Sequence, residues 1–131
     1  MSSIRGIRGA VKAKENTKEQ IMASTQKLLL KMVEANQLQV TDIASIFLTA
    51  TTDLNAEFPA YAVRELGWNM VPALCAQEME VKGGMTGVIR ILLHVNTTKS
   101  QERIKHLYLG ETAKLRPDLC GGTNDDSGDE E

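Results

Sequence analysis

Aromatic side chains are scarce in this 131-residue chain: two Phe, two Tyr and one Trp, 4% in all. That scarcity removes the stacked rings on which single-stranded nucleic acids are held. Positive charge is not in excess either. Fifteen Lys and Arg stand against 17 Asp and Glu, a formal −2, which argues against a nucleic-acid partner. No apolar run approaches the roughly 18 residues of a membrane span, and Met1 to Arg8 lack the apolar core of a signal peptide, so the expected compartment is the cytoplasm and no membrane partner is expected. The two cysteines, Cys75 and Cys120, have neither CxxC spacing nor a disulfide framework around them and are expected to be reduced thiols.

What is present is ordinary in bulk and uneven in place. With 42% hydrophobic and 24% charged residues, the chain is neither collagen-like nor largely disordered, and its length suits one domain with a modest core. Five acids and no base follow Gly121, leaving 12 acids against all 15 bases in the preceding residues. The body is therefore +3 and the end −5. We expect a single domain over residues 1–119 and an acidic, disordered tail over 120–131. A mildly basic body suits small anions.

Residues 4–13 alternate and read as a strand. A helix follows, capped by Asn16 or Thr17 with Glu19 or Gln20 three residues on; Ile21, Thr25, Leu28, Leu29, Met32 and Val33 keep helical spacing as far as a stop at Asn36. Residues 43–51 are apolar on both alternating sets, as in a strand covered on both faces. Pro59 and Gly67 bracket a short helix. Strands are expected at 71–76 and 88–95, a brief helix at SQERIKHL and a last strand over 107–116. The order predicts an α/β fold with a mixed β-sheet packed with helices.

The sharpest chemical feature is Arg90, a permanent cation inside the apolar strand VIRILLHV. Alternation puts it on one face with Val88, Leu92 and His94. It needs an anion, either a carboxylate such as Glu78 or an anionic ligand. Arg5 and Arg8 lie three apart on a strand and face opposite ways, while Gly6 and Gly9 permit close approach of a backbone or ligand. Arg64 and Arg116 add two more cations at structured positions. His94 and His106 lack metal-ligand spacing and read as packed or surface histidines, so no metal site is expected. No phosphate loop appears. Cys75 has no base in sight that would make it a nucleophile.

Taken in order, IRGIRGA, ENTKEQI, TDLNAEFPA with AVRELGW, CAQEM, GG before VIRILLHVNT, and HLYL with LRPDL strongly resemble the monofunctional AroH-class chorismate mutases from Ile4 to about Leu119. The resemblance implies rearrangement of chorismate to prephenate within aromatic amino acid biosynthesis (phenylalanine and tyrosine), with no cofactor. It also implies a homotrimeric pseudo-α/β-barrel with sites between adjacent subunits. Carried over by residue, Arg90 is implied beside the ether oxygen, Arg8 on a substrate carboxylate, Glu78 towards the substrate hydroxyl and Tyr108 as a further polar partner. Ala73, Leu74, Cys75 and Leu115 are implied as lining. Phe58, Ala60 and Arg64 would come from the neighbouring subunit, with Arg116 near the mouth.

The sequence departs from the family where Tyr61 stands in place of a frequent Lys, Leu74 in place of Thr and Val88 in place of Cys. Two other classes use similar parts: a trimeric deaminase of small imines with an interfacial arginine, and a non-catalytic trimer that binds a carboxylate metabolite and regulates a partner.

Overall fold

A computed structural model describes residues 1–119; the expected acidic tail, including Cys120, lies outside the described residues. The elements are β1 (Ser3–Lys12), α1 (Lys18–Ala35), β2 (Ile43–Ala50), α2 (Ala60–Glu65), β3 (Ala73–Gln77), β4 (Val88–Thr97) and β5 (Leu107–Tyr108). They form the expected mixed α/β fold, with one sheet in the order β3-β2-β4-β1-β5. β4 is the centre, antiparallel to both β1 and β2, and the parallel pairs β2–β3 and β1–β5 flank it. Among the described residues no helix is long and apolar enough to cross a membrane.

α1 begins where the sequence signals it. Thr17 is extended and its hydroxyl accepts the Gln20 N–H at 3.1 Å, satisfying one of the first-turn donors. Its apolar stripe, including Ile21, Leu28, Leu29 and Met32, is buried. The opposing layer is the sheet face carrying Ile7, Ile46, Leu48, Ile89, Ile91 and Leu93. Each such fully buried aliphatic contributes roughly 1.5–3 kcal/mol. Gly9 makes the approach of helix to strand possible, because a Cβ there would meet Met32 Sδ at 2.5 Å. The helix stops at Asn36, whose Nδ2 donates to Met32 O and to Lys105 O at 2.9 Å each, while its Oδ1 accepts the Lys105 N–H at 2.8 Å.

Four expectations need correction. β2 is covered on one face only in this chain: Ile46 and Leu48 are buried, but Phe47 between them is 43% exposed. The strand expected at 71–76 begins at Ala73, since Pro72 has no N–H for the ladder and contributes only its carbonyl, to Ile46 N–H. In place of a helix over SQERIKHL there is one 3₁₀ turn, Gln101–Arg103, after which buried Ile104 and the Asn36 bonds to Lys105 hold the chain extended. The last strand ends after Tyr108. Gly110 takes φ +58° and a 3₁₀ segment, Gly110–Leu115, follows, pinned by Thr112 Oγ1 donating towards Ala10 O and Leu109 O.

Candidate active site

The face of the sheet turned away from α1 carries the chemistry. Cross-strand register sets two rows on it, because residues directly opposite one another point the same way. One row runs Tyr108, Ala10, Arg90, Thr49, Ala76. The next runs Arg8, Leu92, Phe47, Leu74. Arg8, Arg90 and Tyr108, three residues singled out by sequence, therefore share one face on neighbouring strands.

Arg90 sits as the sequence demands, a cation on a strand with buried Ile89 and Ile91 on either side. Its anion is Glu78: Oε2 lies 2.6 Å from Arg90 Nε. Glu78 is carried into place by the chain leaving β3, its N–H donating to Ala50 O. The pair is close in charge without being aligned as a hydrogen bond. Among the described residues, Arg90 Nε and its cross-strand neighbour Thr49 Oγ1 are the buried side-chain polar atoms that lack one. Arg90 and Glu78 stay partly open, at 41% and 27% exposure, on the wall of a cavity of about 1020 Å³ that Leu115 also lines. A cavity of this size admits a small ring carrying carboxylates, and the exposed part of the guanidinium is free to meet it.

Tyr108 is buried, packed with Ala10 and Val88 and against Leu115. Arg8 is exposed, and its backbone N–H donates to His106 Nδ1 at 2.9 Å. Arg116 forms a two-pronged pair with Asp118, Nε to Oδ1 at 3.1 Å and Nη2 to Oδ2 at 2.8 Å. That hydrogen-bonded guanidinium holds the Asp118 carboxyl below its usual value.

The remaining nominated residues gather elsewhere. Phe58, Ala60, Arg64, Ala73 and Cys75 line a separate cavity of about 310 Å³ between α2 and β3. Cys75 pairs in register with Leu48, which faces the helical layer, and its Sγ accepts the Ala60 N–H at 3.2 Å. Cys75 and Arg90 thus point to opposite sides of the sheet. Burial raises the Cys75 thiol above its ordinary value, so it is neutral near pH 7, a poor nucleophile and a fair wall. The Arg64 guanidinium lies 4.8 Å over the Tyr61 ring, which in turn meets Phe58 edge-on at 5.7 Å between centroids. Leu74 belongs to neither cavity lining and stands 61% exposed on the open face with Phe47.

Sequence reading gave Thr49 no role and took His106 as a packed or surface histidine. Thr49 carried no signal of its own, since a Thr in a strand is commonplace. His106 had one: it stands two residues before Tyr108, the spacing that repeats a face of an extended chain.

Known proteins resemble the chain along most of its length. The chain matches the family chorismate mutase type I over residues 4–119. It is 48% identical over 117 residues to the chorismate mutase AroH of Bacillus subtilis (strain 168), covering 88% of this chain and 92% of that one. It is 47% identical over 117 residues to the chorismate mutase AroH of Thermus thermophilus, covering 88% and 96%. The solved structure of a chorismate mutase from Clostridium thermocellum superposes with a TM-score of 0.82 at 45% identity, covering 84% of this chain and 98% of that one.

Proposed function

The chain belongs to the type I chorismate mutase family and is a chorismate mutase, and from that premise we propose how its residues carry out the isomerisation. The observation that carries the reading is Arg90, a cation on the wall of the large cavity with Glu78 paired to it. Chorismate rearranges within itself: the ether C–O bond breaks as a C–C bond forms, and every atom and electron is retained in prephenate. No external nucleophile, metal or cofactor enters the balance.

Negative charge grows on the ether oxygen as that bond breaks. Arg90 meets it, and a guanidinium fixed in place stabilises that charge more than solvent does, since little has to reorganise. Glu78 both orients Arg90 and accepts from the substrate hydroxyl. Arg8 holds a carboxylate, Tyr108 stiffens the wall, and Leu115 and Arg116 close the mouth. Holding both arms of the dianion in the reactive geometry removes part of the entropic barrier.

One chain divides these parts between two faces, which supports a site completed by a neighbouring copy that brings Phe58, Ala60 and Arg64, with Ala73, Leu74 and Cys75 lining the same junction. A homotrimer does this through the open sheet face, where Phe47 and Leu74 leave a continuous apolar surface. We place the enzyme in the cytoplasm, in phenylalanine and tyrosine biosynthesis, with residues 1–119 forming a single chorismate mutase domain. Purified protein given chorismate without metal or cofactor forms prephenate; folded, assembled protein without turnover overturns the reading.

A further inference from the structure

β5 pairs with two residues of β1, and beyond them side chains take the edge groups of Gly6 and Arg8. The Gln101 amide takes both backbone groups of Gly6, accepting its N–H at 3.1 Å and donating to its carbonyl at 2.7 Å. His106 takes the next free donor, the Arg8 N–H, on Nδ1 at 2.9 Å. A backbone N–H only donates, so Nδ1 must be the bare nitrogen of the ring and the proton must sit on Nε2.

That assignment changes the meaning of the second contact. His106 Nε2 lies 3.5 Å from Arg8 Nη1. A guanidinium is donor only, so Arg8 Nη1 and the His106 Nε2–H are two donors side by side. Two converging donors, one of them charged, make a fork for a carboxylate.

We propose that His106 is a second donor to the substrate carboxylate held by Arg8, binding through Nε2–H while Nδ1 fixes the Arg8 backbone that aims the guanidinium. The proposal rests on the reading that Arg8 holds a carboxylate of the substrate. The charged groups facing the ring are Arg8 from β1 and Arg116 from the C-terminal segment, the latter engaged by Asp118. Burial first, and then these two cations, push the imidazole below its ordinary value of 6.5, so it works as a neutral donor near pH 7.

The test separates the two nitrogens in the full-length, assembled enzyme. His106→Asn keeps an acceptor near the Nδ1 position and deletes the Nε2 donor; the expected result is a KM for chorismate raised about three- to tenfold with kcat within about twofold. His106→Leu deletes both functions and raises KM further; if it fails to fold, His106→Asn carries the test alone. Nitrogen NMR of the ring shows the Nε2–H tautomer at neutral pH, and added prephenate shifts that proton downfield. An unchanged KM in His106→Asn, or an Nδ1–H tautomer, overturns the role of His106. Arg8→Ala distinguishes the underlying reading: an unchanged KM in that variant overturns the carboxylate role of Arg8 itself.

Discussion

Glu78 Oε2 stands 2.6 Å from Arg90 Nε, so the cation at the centre of the candidate site is held by a carboxylate before any substrate arrives. The partner partly offsets the charge of Arg90 yet fixes its direction. A guanidinium has five N–H donors in a rigid plane, and one carboxylate on the Nε side leaves others for a second oxygen. The pair acts as a mount for the exposed end of Arg90.

If that end stabilises the ether oxygen, removing it lowers the chemical step more than binding. Arg90→Gln, which is neutral and ends where Nε of the arginine stood, is expected to lose at least ~10²–10³ in kcat, as removal of an oxyanion donor does in other enzymes. Steady-state rates on assembled protein measure it. A kcat within a few-fold of the parent rejects the electrostatic mechanism.

The division of nominated residues between two faces leads to a complementation experiment. Arg64→Ala should impair turnover by removing the cation that lies over Tyr61 in the smaller cavity. When Arg90→Gln and Arg64→Ala chains are unfolded, mixed equally and reassembled, a ring with head-to-tail sites restores both native residues in about a quarter of its sites. Activity should therefore rise towards about a quarter of the parent value. Mixtures no more active than their components place all the residues of a site in one chain.

Much of this was legible in the sequence because the signals were local. Thr17, the Ile21 to Met32 periodicity and Asn36 delimit α1 by capping and spacing alone, and Arg90 stands out as a charge in an apolar strand whatever surrounds it. Errors arose where distant bonds decide the outcome. LYLGETAKLR reads as a strand, but Thr112 is drawn to Ala10 O, 102 positions away, and Gly110 turns the chain to allow it. His106 reads as a bland histidine because its partner, the Arg8 N–H, is 98 positions distant. β2 reads as covered twice, although within one chain only the Ile46 and Leu48 side is.

The uncovered side of β2 is itself testable. Phe47 is 43% exposed, meets His94 edge-on at 5.6 Å between centroids and is flanked by Leu74 at 61% exposure. A charge placed there costs little in a lone chain, the contact with His94 aside, and much in an assembly that buries it. Phe47→Glu should elute as monomer in light-scattering chromatography and lose the concentration dependence of its melting temperature. Retention of the parent mass removes this face from the interface.

Acid should weaken the fold through His106 before it reaches the carboxylates. Its pKa is depressed in the folded state, by burial first and then by Arg8 and Arg116, so the folded protein binds fewer protons there than the unfolded chain. Stability therefore rises with pH across this window: the His106 contribution is complete above 6.5 and is lost as pH falls from 6.5 towards the lowered folded value. Asp53 acts in a lower window. The Thr51 hydroxyl and then the Gly87 N–H hold its carboxyl below 3.8, so its contribution is present above 3.8 and is lost as pH falls through the folded value. Thermal melts should fall in two stages on acidification, the first absent from His106→Asn and the second from Asp53→Asn. Because Asp53 is largely exposed, its stage is the smaller. A parent melting temperature that is flat between pH 7 and pH 5 contradicts the neutral, bonded imidazole on which the Arg8 arrangement depends.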